Sequence, residues 1–75
     1  MMTTDELLAQ CESALRHGES ILLSTFKGTS RPERLWCARG LGGHNWSVWG
    51  TADFTGPTPQ SALLKLHAWL MARDA

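Results

Sequence analysis

The chain of 75 residues carries seven basic and seven acidic side chains, so its net charge is zero, and 43% of its residues are apolar. This composition argues against disorder, and the length predicts one domain over residues 1–75. A neutral chain lacks the strong basic field that drives non-specific nucleic-acid binding. Its two cysteines, Cys11 and Cys37, are too few for a disulfide framework.

The first residues, Met-Met-Thr-Thr-Asp-Glu, show no targeting pattern. A signal peptide would begin with a basic region followed by an apolar run, and neither is present. No apolar run in the sequence reaches membrane-spanning length. We therefore expect a cytoplasmic protein with no membrane partner.

An amphipathic helix is predicted over residues 3–17. Thr3 and Glu6 have the spacing of a capping box, in which each side chain satisfies a backbone N–H of the other residue. Gly18 is expected to end the helix in a left-handed conformation. The apolar residues recur every three or four positions and form one stripe: Leu7, Leu8, Cys11, Ala14 and Leu15.

Three short strands are predicted in the middle of the chain, at residues 20–26, 34–39 and 45–52. A loop with Gly, Ser and Pro joins the first two strands. A glycine-rich segment joins the last two, and we expect its glycines to permit positive φ angles in a hairpin turn. Most of the large apolar surface falls in these two strands, at Trp36, Trp46 and Trp49.

A second helix is predicted to begin after Thr58, with Pro59 in the first helical position, where its missing N–H does no harm. Lys65 and Arg73 are expected to face solvent. The expected buried stripe comprises Ala62, Leu63, Leu66, Trp69 and Leu70.

The predicted fold is therefore α+β, in the order α-β-β-β-α. The strands form a three-stranded antiparallel meander that is packed by the N- and C-terminal helices. Each helix has a single apolar stripe, which favours both helices on one face of the sheet. A helix on each face is the alternative, because several strand positions are apolar on both sides.

The sequence does not favour an enzyme, a metal site or a cofactor. Cys37 and His44 could meet across the hairpin, but a structural zinc ion usually takes four ligands. The same pair with either Asn45 or Asp53 resembles a nucleophile with its base and an orienting residue, yet a domain this small rarely offers a deep cleft. The glycines lie between two strands rather than before a helix, so they do not form a phosphate cradle.

Protein binding is the function that we expect. Trp and Arg are the residues most enriched at energetic hot spots of interfaces. The predicted binding residues are Arg34, Trp36, Arg39 and Trp49, and the expected partner is a host or viral protein. A homodimer through the sheet edge or through an exposed tryptophan face would also help so small a core.

Nucleic-acid binding through the basic Lys27–Arg39 region and an exposed tryptophan is the alternative function. The element order resembles that of double-stranded RNA-binding domains. Those domains grip phosphates with a lysine cluster at the start of the last helix. Here the corresponding segment has Lys65 alone, so the resemblance covers the element order and not the motif.

The C-terminal half resembles a pattern found in small phage and prophage proteins. The tryptophan-bearing strand from Asn45, the short polar link and the helix beginning Thr-Pro-Gln-Ser-Ala-Leu-Leu are similar to phage ABA-sandwich domains. The resemblance covers the last thirty residues or so. It implies a phage or mobile-element protein without enzymatic activity, and by analogy an inhibitor of host defence of the anti-CRISPR kind.

Overall fold

The computed structural model describes residues 2–42 and 54–73, together with the backbone of residues 47–49. It confirms an α+β fold in which two helices flank an antiparallel sheet. One short strand lies within the predicted third strand, and a further short strand lies in the segment after it, where no strand was predicted. The elements are α1 at Thr4–Ser13, β1 at Ser20–Thr25, a 3-10 turn at Pro32–Arg34, β2 at Trp36–Gly42, β3 at Ser47–Trp49, β4 at Thr55–Gly56 and α2 at Pro59–Arg73.

Strand β2 is the centre of the sheet. Strand β1 pairs antiparallel along one edge of β2, and β3 and β4 pair antiparallel with its two ends along the other edge. Trp49 lies opposite Gly40, and Thr55 lies opposite Cys37. Residues 45, 46 and 50–52 of the predicted third strand lie outside the described residues.

The predicted bounds of β2, residues 34–39, are wrong at both ends. Arg34 belongs to the 3-10 turn that Pro32 begins, and the strand continues to Gly42. Gly42 has φ +109°, and a Cβ atom there would lie 2.4 Å from the carbonyl oxygen of Gly18. Glycine is needed at this position because the strand passes directly against another backbone segment. Gly40 and Gly42 of the predicted glycine-rich turn therefore lie in strand β2.

Helix α1 begins as predicted and ends early. Thr3 is the N-cap, and its hydroxyl oxygen accepts a hydrogen bond from the Glu6 N–H at 3.2 Å. The helix stops at Ser13, and the predicted end at residue 17 is wrong. Gly18, with φ +85°, lies instead in a turn closed by the Glu19 N–H on the Arg16 carbonyl oxygen at 3.0 Å.

Arg73 explains where α1 ends. Its guanidinium donates to the Ala14 carbonyl oxygen at 3.1 Å, and it pairs with the Glu19 carboxylate at 2.9 Å. The Glu19 carboxylate also accepts from the Arg16 N–H at 2.6 Å. A side chain from the far end of the chain thus satisfies a terminal carbonyl of α1 and fixes the turn that follows.

The expectation that Arg73 faces solvent is therefore wrong. Arg73 lies seven residues after Leu66, on the buried side of α2, so its stem follows the apolar stripe and its head meets Glu19. The hydrogen bond from Arg73 lowers the pKa of Glu19 below its ordinary value of 4.5.

Helix α2 is capped by a reciprocal pair of hydrogen bonds. The Ser61 N–H donates to the Thr58 hydroxyl oxygen, and the Thr58 N–H donates to the Ser61 hydroxyl oxygen, both at 3.1 Å. Serine here takes the part that glutamate has in a capping box. Gly56 lies directly below this cap, since a Cβ atom there would lie 2.1 Å from the Ser61 hydroxyl oxygen.

Four of the five residues in the predicted stripe of α2 are fully buried: Ala62, Leu63, Leu66 and Leu70. The prediction was wrong for Trp69, which is 36% exposed. Trp69 lies at the margin of the stripe, where its ring meets Phe54 edge-on at 6.0 Å. The Arg73 guanidinium stacks over the same ring at 5.4 Å from its centroid.

One core joins both helices to one face of the sheet. Its buried members are Leu7, Cys11, Ala38, Phe54, Ala62, Leu63, Leu66 and Leu70. Ile21, Leu23 and Trp36 pack against this core from the same face of β1 and β2. The structure thus has the two-layer arrangement rather than the alternative with a helix on each face.

Removal of the Arg73 guanidinium should destabilise the fold. We expect Arg73→Met, which keeps the apolar stem, to lower the free energy of unfolding by about 1–3 kcal/mol, because Glu19 and the Ala14 carbonyl lose their partner. Urea denaturation measures this change. An unchanged midpoint would show that the contacts of Arg73 with Glu19 and the Ala14 carbonyl do not stabilise the fold.

The contribution of Glu19 should depend on pH. Because its pKa is lowered in the folded state, its stabilisation is fully present above about pH 4.5 and is lost as the pH falls through the lowered value. The difference in unfolding free energy between the wild type and Glu19→Gln should therefore shrink on acidification. Urea denaturation at pH 7 and pH 3 measures it, and a constant difference would contradict this assignment.

A matched pair of glycine variants tests the packing of β2 on the Gly18 turn. Gly42 and Gly28 both have positive φ, but no atom lies within 4 Å of a Cβ built at Gly28. We expect Gly28→Ala to cost about 1 kcal/mol from backbone strain alone. Gly42→Ala should cost at least about 2 kcal/mol, since the clash adds to the strain. Equal losses in thermal denaturation would show that this close approach is absent.

Candidate binding site

The face of the sheet opposite the helices carries both apolar and polar side chains. Alternation along β2 turns Ala38 towards the helices and Cys37 and Arg39 away from them. The cross-strand neighbour of Arg39 is Leu22, which is 47% exposed. No described helix or strand covers this face, which we call the open face.

The loop after β1 adds two more arginines to this region. The Phe26 N–H donates to the Leu35 carbonyl oxygen at 2.9 Å and closes the loop at its base. The Arg34 N–H donates to the Arg31 carbonyl oxygen at 2.9 Å within the 3-10 turn. The Arg31 N–H in turn donates to the Thr29 hydroxyl oxygen at 3.1 Å. These bonds hold Arg31 and Arg34 next to the sheet.

Together, the loop and the open face form a concavity of about 350 Å³. Residues of four neighbouring segments line its wall. They are Phe26, Thr29, Arg31, Arg34, Cys37, Arg39 and Thr55. We call this group the arginine concavity.

The charged residues that line the arginine concavity are all positive. Arg31, Arg34 and Arg39 are all exposed, and none of them forms an ion pair within the described part of the chain. None of the seven lining residues is acidic. The acids of α1, which are Asp5, Glu6 and Glu12, are exposed on the helix, whereas Glu33, beside Arg34 in the 3-10 turn, is exposed but does not line the concavity. A chain with zero net charge therefore presents a local positive surface.

The two cysteines have different surroundings. Cys11 is fully buried in the core, and burial raises the pKa of its thiol, which keeps it protonated and unreactive. Cys37 is 3% exposed and lies in the wall of the arginine concavity. Across residues 2–42 and 54–73, no group of three or more His, Cys, Asp or Glu side chains could hold a metal ion. His44, the sequence-predicted neighbour of Cys37, lies outside the described residues.

The four sequence-predicted binding residues do not form one group. Arg34 and Arg39 line the same concavity. Trp36 is half-buried and packs against the helix core, on the opposite side of β2 from Arg39. Trp49 pairs with Gly40 through its backbone, and its side chain lies outside the described residues.

Sequence reasoning missed Phe26, Thr29 and Thr55 as members of the site. The alternation of β1 already placed Phe26 on the face away from Ile21 and Leu23, so a signal existed for that residue. Thr55 reaches the concavity because β4 pairs with the start of β2. No local pattern predicted that pairing, since two residues are too few to show a strand period.

Comparisons with protein-family models, with curated proteins and with solved structures found no match for this chain. Among the described residues, neither helix has the length and apolar character needed to cross a membrane.

Single substitutions should separate the exposed residues of the site from the structural one. We expect Phe26→Ala and Arg39→Ala each to change the free energy of unfolding by less than about 1 kcal/mol, because both side chains are exposed. Trp36→Ala should cost about 2–4 kcal/mol, because it empties space against the core. Thermal denaturation of the three variants measures this. A larger loss for Arg39→Ala than for Trp36→Ala would contradict the assignment of faces.

Proposed function

We propose that this protein is a small non-enzymatic binding protein that docks on an acidic surface of another protein. One observation carries the proposal: three exposed arginines surround a concavity and have no acidic partner in the described part of the chain. Clustered exposed cations repel one another, and an anionic partner would remove that repulsion. Arginine also binds carboxylates through two parallel hydrogen bonds.

The shape of the molecule supports docking. The helices use their apolar stripes for the core, whereas the open face stays uncovered by any described element. Phe26 and Leu22, each 47% exposed, add apolar area beside the arginines. Aromatic and arginine side chains together are the usual composition of an interface hot spot.

The resemblance of the C-terminal half to small phage proteins adds a biological setting to this proposal. We infer a phage or mobile-element protein that acts in the cytoplasm of the host cell. By the same analogy, its partner would be a component of a host defence system, and binding would inhibit that component. The arginine surface supplies the physical means of such binding.

Nucleic-acid binding is the second candidate, and the position of Phe26 beside three arginines favours it. A base could stack on the ring while its phosphates meet the guanidinium groups. The zero net charge of the chain weighs against it, because extended phosphate contact needs a wider basic surface.

Affinity capture with matched variants tests the proposal. The immobilised wild type, Arg34→Ala/Arg39→Ala and Lys27→Ala are exposed to nuclease-treated bacterial lysate, and bound proteins are quantified by mass spectrometry. Lys27 is an exposed cation close to the concavity that does not line it. We expect a protein that the wild type and Lys27→Ala retain and that the double variant loses by at least about tenfold.

Two outcomes would contradict protein docking. Equal capture by all three chains would show that the arginines play no part. Capture of no protein from the nuclease-treated lysate, together with binding of a labelled single-stranded oligonucleotide that weakens steeply as salt rises, would support the second candidate instead.

A further inference from the structure

The arginine concavity has the size of a site for one small chemical group. Its volume of about 350 Å³ lies at the lower end of the range for small-ligand pockets, which is about 300–1,000 Å³. Such a volume admits one side chain or one small ligand, not a long segment of polymer. The chemistry of its wall then decides which group it takes.

The charge of the wall points to a dianion. Each of the three guanidinium groups keeps its charge at any physiological pH. A single carboxylate would neutralise one of them. A phosphate monoester carries a charge of about −1.5 to −2 at pH 7 and three strong acceptor oxygens, which suit several two-pronged guanidinium contacts at once.

Two threonine hydroxyl groups add uncharged hydrogen-bond donors to the three guanidinium groups. The Thr29 hydroxyl oxygen already accepts from the Arg31 N–H, so its own proton is available to another acceptor. Thr55 brings a second hydroxyl group to the wall. All polar side chains of the lining are thus donors or can act as donors, which is the composition that an oxyanion requires.

Phe26 adds an aromatic contact surface to the wall of the concavity. Its ring is 47% exposed in the wall of the same concavity, so it offers an apolar face beside the guanidinium groups. An aromatic ring joined to the phosphate would cover this face by stacking or edge contact. We propose that the arginine concavity binds a phosphate monoester that carries an aromatic ring. Phosphotyrosine and nucleoside monophosphates both have this chemistry.

This proposal rests on the proposed function, because both place binding at the arginine concavity. The following test needs no partner protein, so phosphate binding and protein docking can each be disproved independently. The ¹⁵N-labelled full chain is titrated with phenyl phosphate, benzoate and inorganic phosphate at constant ionic strength, and amide shifts are followed by NMR. We expect phenyl phosphate to bind at least about tenfold more tightly than either other probe, since benzoate lacks the second charge and inorganic phosphate lacks the ring. The shifted amides should cluster at residues that line the concavity.

Variants then assign the contacts. Arg34→Ala and Arg39→Ala should each weaken phenyl phosphate by at least about tenfold, while Lys27→Ala changes the affinity by less than about twofold. Arg39→Lys keeps the charge and loses the planar fork, so it should also weaken binding. Phe26→Ala should bring the affinity for phenyl phosphate down to that for inorganic phosphate.

Two further probes separate the sources of the ligand. Phosphotyrosine amide and adenosine 5′-monophosphate are compared with their unphosphorylated forms, and the tighter of the two indicates a phosphoprotein or a nucleotide. Equal binding of phenyl phosphate and benzoate would overturn the inference. So would equal losses in Arg39→Ala and Lys27→Ala, or amide shifts that lie away from the concavity, and these outcomes do not depend on the result of affinity capture.

Discussion

Both helices pack on the same face of the sheet, and the central strand β2 meets them with side chains of very different size. Trp36 packs against the core at one end of the strand, Ala38 is fully buried within it, and the helix-facing positions farther along are Gly40 and Gly42. The Gly18–Glu19 backbone lies directly against Gly42. The fully buried leucines of both helices, Leu7, Leu63, Leu66 and Leu70, join Ala38 in one core, and their burial is the main stabilising contribution in so short a chain. The opposite face of β2 carries Cys37 and Arg39 and is covered by no described helix or strand.

The arginines of this chain divide into two kinds by their surroundings. Arg73 is used in the fold, where it holds Glu19 and the end of α1 together. Arg31, Arg34 and Arg39 have no such partner in the described part of the chain and lie around one concavity. An arginine that pairs inside the molecule contributes to stability, whereas a cluster that repels itself is suited to binding an anion. This contrast is the reason for placing function on the open face.

Local signals in the sequence were sufficient for the helices and the first strand. The spacing of Thr3 and Glu6, and the proline after Thr58, fixed where the helices begin. The C-terminal end of α1 and the exposure of Trp69 in α2 depend on tertiary contacts, which a local sequence pattern does not reveal. Arg73 terminates α1 from nearly sixty residues away, and Trp69 lies at the margin of the core beside Phe54.

The candidate site was predictable only in part, because several of its residues are brought together by contacts between segments that are distant in sequence. The period of β2 places Arg39 on the face opposite Ala38, and that much follows from the sequence. The 3-10 turn that brings Arg34 to Arg39, and the pairing of β4 that brings Thr55, are products of the fold. Trp36 was predicted as a binding residue because it is large and aromatic, but its register with Thr25 and Gly56 places it on the helix side.

Strand β2 has one face under the helices, and we propose that a partner binds at the other. Nuclear Overhauser effects from its side chains test that claim most directly. The Ala38 methyl group should show contacts to core leucines of the helices, and the Arg39 side chain should show contacts only to its neighbours in the sheet and the loop. Contacts from Arg39 or Cys37 to either helix would mean that the two faces are reversed or both covered, and the arginine concavity would not exist.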